Sequence, residues 1–167
     1  MFDFIPSSQY MGIYYHILLI VTLYMYMQSR MYFIEQRETV KVSQNLGYFL
    51  LIFTILYLGT RPVSWAFGDM STYAEGFKKM QLDASLPIKR DFFFGYFTKF
   101  CADIMNVDTY FLLIDVMYIV PCYLLAKKYF SDYWFIPFLM MLGSFSFWSY
   151  VTNGVRNGLA TAIFIFS

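Results

Sequence analysis

Uncharged runs separated by short charged stretches set the pattern of this chain. The first covers 10–27, 18 residues without a formal charge. As a helix rising about 1.5 Å per residue, it nearly crosses a hydrocarbon core about 30 Å thick. The second covers 42–60 and stops at Arg61 and Pro62, because proline cannot extend a helix. The third covers 109–126, with Asp115 about two turns in, Pro121 as a candidate kink, and Lys127 and Lys128 directly after it. The fourth covers 133–151 with Pro137 inside. A fifth opens near Asn153 and runs to Ser167. From Gly158 it offers only about 15 Å of helix, half a crossing, so the chain reads as the N-terminal part of a longer protein.

Between the second and third runs lies the longest stretch that does not span, 61–108. Asp69 or Ser71 is placed to cap a helix carrying Tyr73, Phe77 and Met80 on one face, which Pro87 ends. From Asp91 to Asn106 the polar or small residues Asp91, Gly95, Thr98, Lys99, Ala102, Asp103 and Asn106 recur at helical spacing among Phe, Tyr, Ile and Met. That pattern predicts an amphipathic helix in the membrane interface or over the mouth of the bundle. The expectation is an all-α fold, a polytopic transmembrane helical bundle forming one domain over 1–167.

Composition agrees. The 167 residues are 59 % hydrophobic, 23 % aromatic and 14 % charged, where soluble domains are nearer half apolar and a quarter charged. A net charge of +1 gives no nucleic-acid footprint. Cys101 and Cys122 form no metal or disulfide pattern, and no carboxylate–histidine cluster has metal spacing, so neither metal nor cofactor is expected. His16, alone in the first span, is expected to bond a neighbouring helix. The loops 29–41 and 126–132 carry three and two Lys/Arg and are predicted cytoplasmic; in 61–108 six bases are balanced by six acids. Alternation then puts Arg61, Asp69 and Arg156 on one membrane face.

The candidate chemistry centres on NGVRNGLA, 153–160. From 133 to 167 Arg156 is the only charge, and a guanidinium in apolar sequence needs an anion or a structural reason. Asn153 is a good N-cap, so free amides at Gly154, Val155 and Arg156 would join the guanidinium in favouring a phosphate or carboxylate. Asn153, Arg156, Asn157 and Ala160 would share a helical face. A second reading fits the same residues: Gly154, Gly158 and Ala162 form a small-residue packing face, with Arg156 snorkelling to a headgroup. Arg61 is either an anion ligand or an interface anchor, and Asp69 either a catalytic group or only a cap. Asp115, costing about 2.5–3.5 kcal/mol at a span centre, calls for a partner or a water-filled cleft.

Three patterns in order carry a family resemblance: Arg61 closing an early span, Asp69 and Tyr73 in FGDMSTYAEGF, and NGVRNGLA opening a later span. Together they resemble the EpsG family, the Wzy-like membrane proteins of bacterial exopolysaccharide and O-antigen synthesis. Asn157 stands where that family usually has Gln. The resemblance implies a glycan polymerase or glycosyltransferase of the bacterial inner membrane, its active face outward, using polyprenyl-diphosphate-linked glycans beside other polysaccharide-assembly membrane proteins. Arg61 and Arg156 would grip the diphosphate. Asp69, or less directly Glu75, would serve as general base. Tyr73, Asn153 and Asn157 would contact substrate. The competing expectation is a non-enzymatic membrane protein, a transporter or scaffold subunit, whose arginines bind lipid headgroups. Convergence of Arg61 and Arg156 on one cleft, within about 10 Å of each other, is the geometric expectation of the enzyme reading.

Overall fold

The computed structural model describes residues 5–31, 36–83 and 91–166. Pro87 and part of the first polar loop lie outside the described residues. Helices follow one another along the chain: α1 (Tyr10–Met31), α2 (Gln36–Gly59), α3 (Met70–Leu82), α4 (Phe92–Ile104), α5 (Val107–Phe130), α6 (Phe135–Gly143), α7 (Phe145–Thr152) and α8 (Val155–Phe166). There is no strand among the described residues. Among the described residues three helical segments are long and apolar enough to cross a membrane, Ser7–Arg30, Val40–Gly59 and Val107–Tyr133, and a bent pair makes up to four if it is one span. The fold is a helical bundle, with α5 at its centre touching α2, α3, α4, α6 and α8.

α2 begins at Gln36, earlier than the uncharged run from 42, because hydropathy marks the apolar part of a helix and not its backbone. α5 starts where the Asn106 side chain accepts the Thr109 N–H at 2.8 Å, and it continues unbroken through Pro121. α1 buries Tyr10, Tyr14, Leu18 and Val21, one stripe, and leaves Leu19, Ile20 and Leu23 exposed. Large aliphatic side chains on the outside suit lipid, not water.

The fourth predicted run is not one straight helix. It is two helices, α6 and α7, bent by 64° between Gly143 and Phe145. The cause is Ser144, which is extended and whose hydroxyl accepts the Phe147 N–H at 3.2 Å, so it restarts the helix. A break between apolar helices frees carbonyls that need donors. α1 supplies one: the Tyr14 hydroxyl donates to Leu142 O at 3.0 Å, while the Tyr15 hydroxyl, at 3.5 Å, adds to the Trp148 N–H already bonded to Ser144 O.

α4 is also oriented against the usual rule. Its small and polar face, Gly95, Thr98, Cys101 and Ala102, is buried, while Phe92, Phe93, Tyr96 and Phe100 are exposed. Thr98 is satisfied inside the bundle by Phe94 O at 2.8 Å and the Tyr110 hydroxyl at 2.9 Å. Small residues let α4 approach α3 and α5 closely, and the rings are left outside. His16 is exposed, its Nδ1 bonding Gly12 O of its own helix at 2.6 Å, and among the described residues it makes no helix–helix bond of the kind expected.

Candidate functional site

Arg61 does not sit at a cleft mouth. It is 3 % exposed and forms an ion pair with the equally buried Asp115 at 2.5 Å. Its guanidinium also donates to Leu58 O and, at 2.8 Å, to Val151 O, and lies 5.8 Å from the centre of the Phe67 ring. The physical reason is Asp115: a carboxylate within an apolar span needs a cation, and the end of α2 delivers one. Both expected roles of Arg61, diphosphate ligand and headgroup anchor, therefore give way to a strut joining α2, α5 and the end of α7.

That strut backs a polar cluster. After Arg61 the chain makes a 3₁₀ turn at Trp65–Phe67, capped by Ser64, and reaches Gly68 at φ 61°. A Cβ here would lie 2.2 Å from the Asn153 side-chain oxygen, so this position requires glycine for both its conformation and its space. Asn153 accepts the Asp69 N–H at 3.0 Å. The expected role of Asn153 as N-cap is thus corrected. It ends α7 instead, its own N–H and that of Gly154 both bond Ser149 O at 2.9 Å, and its side chain holds the Gly68–Asp69 turn. Asp69 stands at the start of α3 without spending its carboxylate on a capping bond, and it is exposed. It is available for chemistry.

Tyr73, one turn into α3, packs edge-on against Phe94 with ring centres 5.8 Å apart. Burial raises its phenol above the ordinary pKa, the positive Arg156 lowers it, and Asp69 and Asp91 raise it. Burial is the largest of these effects, so the phenol stays a neutral donor. Arg156, on the first turn of α8, forms an ion pair with Asp91, the two side chains 44 % and 49 % exposed. Asp91 precedes α4 at φ 52°, a left-handed conformation that Asp tolerates better than most residues.

The structure thus gathers Asp69, Tyr73, Asn153 and Arg156, and adds Asp91. The sequence offers one sign of Asp91's role, a lone acid directly before the uncharged run FFFGYFT, but helical spacing assigns it to a polar face. Among the cavities formed by the described residues, Arg156 and Asp91 border an apolar groove of about 930 Å³, and Arg61 borders another of about 300 Å³ with Pro62, Asp108 and Thr109. Glu75 is exposed and, two residues on, lies on the other side of α3 from Tyr73. Asn157 is exposed beside Arg156. Gly158 serves the packing expectation: a Cβ there would come within 2.9 Å of the Tyr150 side chain and 3.2 Å of its carbonyl, so α8 folds tightly onto α7. Packing and an accessible Arg156 coexist on different faces of one helix.

No protein-family model, curated protein or solved structure matches the chain.

Proposed function

We propose that the chain is a membrane glycosyltransferase of the EpsG type, acting at the outer face of the bacterial inner membrane on polyprenyl-diphosphate-linked sugars. The observation that supports this reading is Arg156 at the edge of an open apolar groove, with Asp69 bonded to Asn153 just before the helix that carries Arg156. Each has work to do in glycosyl transfer. Arg156 presents a half-exposed fork suited to phosphate oxygens. As the bond from the anomeric carbon to the phosphate oxygen breaks, its electron pair leaves with the diphosphate, and Arg156 stabilises that growing charge. The acceptor hydroxyl forms the new bond to the anomeric carbon and gives its proton to the Asp69 carboxylate. The neutral phenol of Tyr73 donates to a sugar or phosphate oxygen. Asn153 holds Asp69 in place through the backbone, and Arg61 supports both from behind through Val151 and Phe67.

The test is transfer of radiolabelled sugar from a polyprenyl-diphosphate donor to a glycan acceptor by membranes containing the full-length protein. Asp69→Asn, which keeps size and backbone bonding, is expected to lower transfer about a hundredfold or more at unchanged protein level. Transfer at the wild-type rate would remove Asp69 as the base.

A further inference from the structure

Lys127 follows Asp108 along α5 by about 28 Å of helix, so it stands at the end of the bundle away from Arg61. There Gln44, Tyr48, Lys127, Ser131, Asp132 and Trp134 line a mostly polar cavity of about 280 Å³. Two opposite charges border it and are held separately. Lys127 Nζ donates to the Tyr123 hydroxyl at 3.1 Å and the Tyr48 hydroxyl at 3.5 Å, and sits 5.6 and 5.9 Å from the centres of those two rings. Buried Trp134 packs on both phenols, its ring centre 4.9 Å from that of Tyr123 and 5.2 Å from that of Tyr48. Asp132 is held from α2 instead: Gln44 Nε2 donates to its backbone oxygen at 3.1 Å and to its Oδ1 at 3.5 Å. Asp132 follows Ser131, whose φ of 46° is uncommon for a residue with a Cβ. Among the described residues no ion pair joins Lys127 to Asp132.

Opposite charges on one cavity, each braced by neutral neighbours, complement a ligand that carries both signs. We propose that this cavity binds the headgroup of an aminophospholipid, its phosphate on Lys127 and its primary ammonium on Asp132. The Lys127 ammonium has three N–H donors; two go to the phenols and the third serves a phosphate oxygen. The Asp132 carboxylate has acceptor sites beyond the one that Gln44 reaches. A primary ammonium donates to them, whereas the quaternary ammonium of choline has no N–H to give. The Tyr48 and Tyr123 rings, which could otherwise hold choline by cation–π contact, already hold Lys127. The placement suits a lipid. Ile52, one turn beyond Tyr48 on the same face of α2, is exposed and apolar, so the cavity lies where polar side chains give way to ones suited to hydrocarbon. The site stands apart from Asp69 and Arg156 and does not depend on the transferase reading.

The experiment measures binding of radiolabelled phosphatidylethanolamine and, separately, phosphatidylglycerol to the full-length protein in detergent. Phosphatidylcholine and water-soluble glycerophosphoethanolamine serve as competitors. Wild type is expected to bind phosphatidylethanolamine at least about threefold more tightly than either other lipid, the factor expected of one exposed charge contact. Lys127→Gln is expected to weaken both labelled lipids by about two- to fivefold, because both carry the phosphate. Asp132→Asn is expected to weaken phosphatidylethanolamine by a similar factor and to leave phosphatidylglycerol, which has no ammonium, unchanged or tighter. Both positions are exposed, so unfolding midpoints should match wild type and a loss of binding reads the site. Equal binding of the three lipids, or phosphatidylethanolamine binding untouched by either variant, overturns the proposal. A loss in Lys127→Gln alone means the cavity reads only an anion and also overturns it. Displacement by glycerophosphoethanolamine as effective as by the lipid would make the ligand a soluble phosphate ester and overturn the lipid assignment.

Discussion

The Asp69 N–H donates to the side-chain oxygen of Asn153 over 3.0 Å, joining positions 84 residues apart. This one bond ties the start of α3 to the connection between α7 and α8, and so sets Asp69 near the helix that carries Arg156. It also makes Gly68 indispensable, because the Asn153 oxygen occupies the space a side chain at 68 would need.

Gly68→Ala should therefore destabilise the protein by about 1–3 kcal/mol from left-handed backbone strain, with further loss from the clash. Asn153→Ala removes the clash and the bond together. Thermal unfolding of both single variants and the double variant should show coupling of at least about 0.5 kcal/mol, the double variant losing less than the sum. Strict additivity contradicts the contact.

Removing one member of the Arg61–Asp115 pair leaves the other charge buried. Arg61→Leu and Asp115→Leu should each cost about 3–5 kcal/mol, and the double replacement by leucines should recover much of that loss. Because Arg61 reaches the site through Val151 and Phe67, sugar transfer by these variants should follow the folded fraction. Loss of transfer at full stability would return Arg61 to the chemistry.

The bend between α6 and α7 depends on two kinds of bond. Ser144→Ala removes the helix cap and should cost about 1 kcal/mol. Tyr14→Phe strands the Leu142 carbonyl among apolar groups and should cost about 1–3 kcal/mol. Unfolding midpoints in a fixed detergent, compared with wild type, measure both. No shift for Tyr14→Phe would mean that Leu142 finds another donor.

Much of the helical frame was legible in the uncharged runs, since length and hydropathy answer directly to a hydrocarbon solvent. The break at Ser144 was not, because one capping hydroxyl inside a run of apolar residues leaves hydropathy unchanged. α4 shows the limit of binary patterning. Its polar and small positions have helical spacing, but which face turns inward depends on whether water or lipid lies outside. In the site, Asp69, Tyr73, Asn153 and Arg156 stood out as polar residues flanking apolar runs. The Asp91–Arg156 and Arg61–Asp115 pairs did not, because each joins positions far apart in sequence, 65 and 54 residues. Opposite charges at the end of one span and within another were visible separately, and only the packing of α2 on α5 makes them a pair.

In the proposed transfer, Arg156 grips the anionic group of a lipid-linked sugar and acts most strongly as the leaving diphosphate forms. Steady-state sugar transfer by full-length wild type and Arg156→Lys, with protein level and unfolding midpoint matched, tests this most directly. Lysine keeps the charge and loses the planar fork. kcat should be about 10²–10³-fold lower in Arg156→Lys. A kcat equal to wild type, with only KM raised or nothing changed, would contradict it and leave Arg156 a headgroup contact.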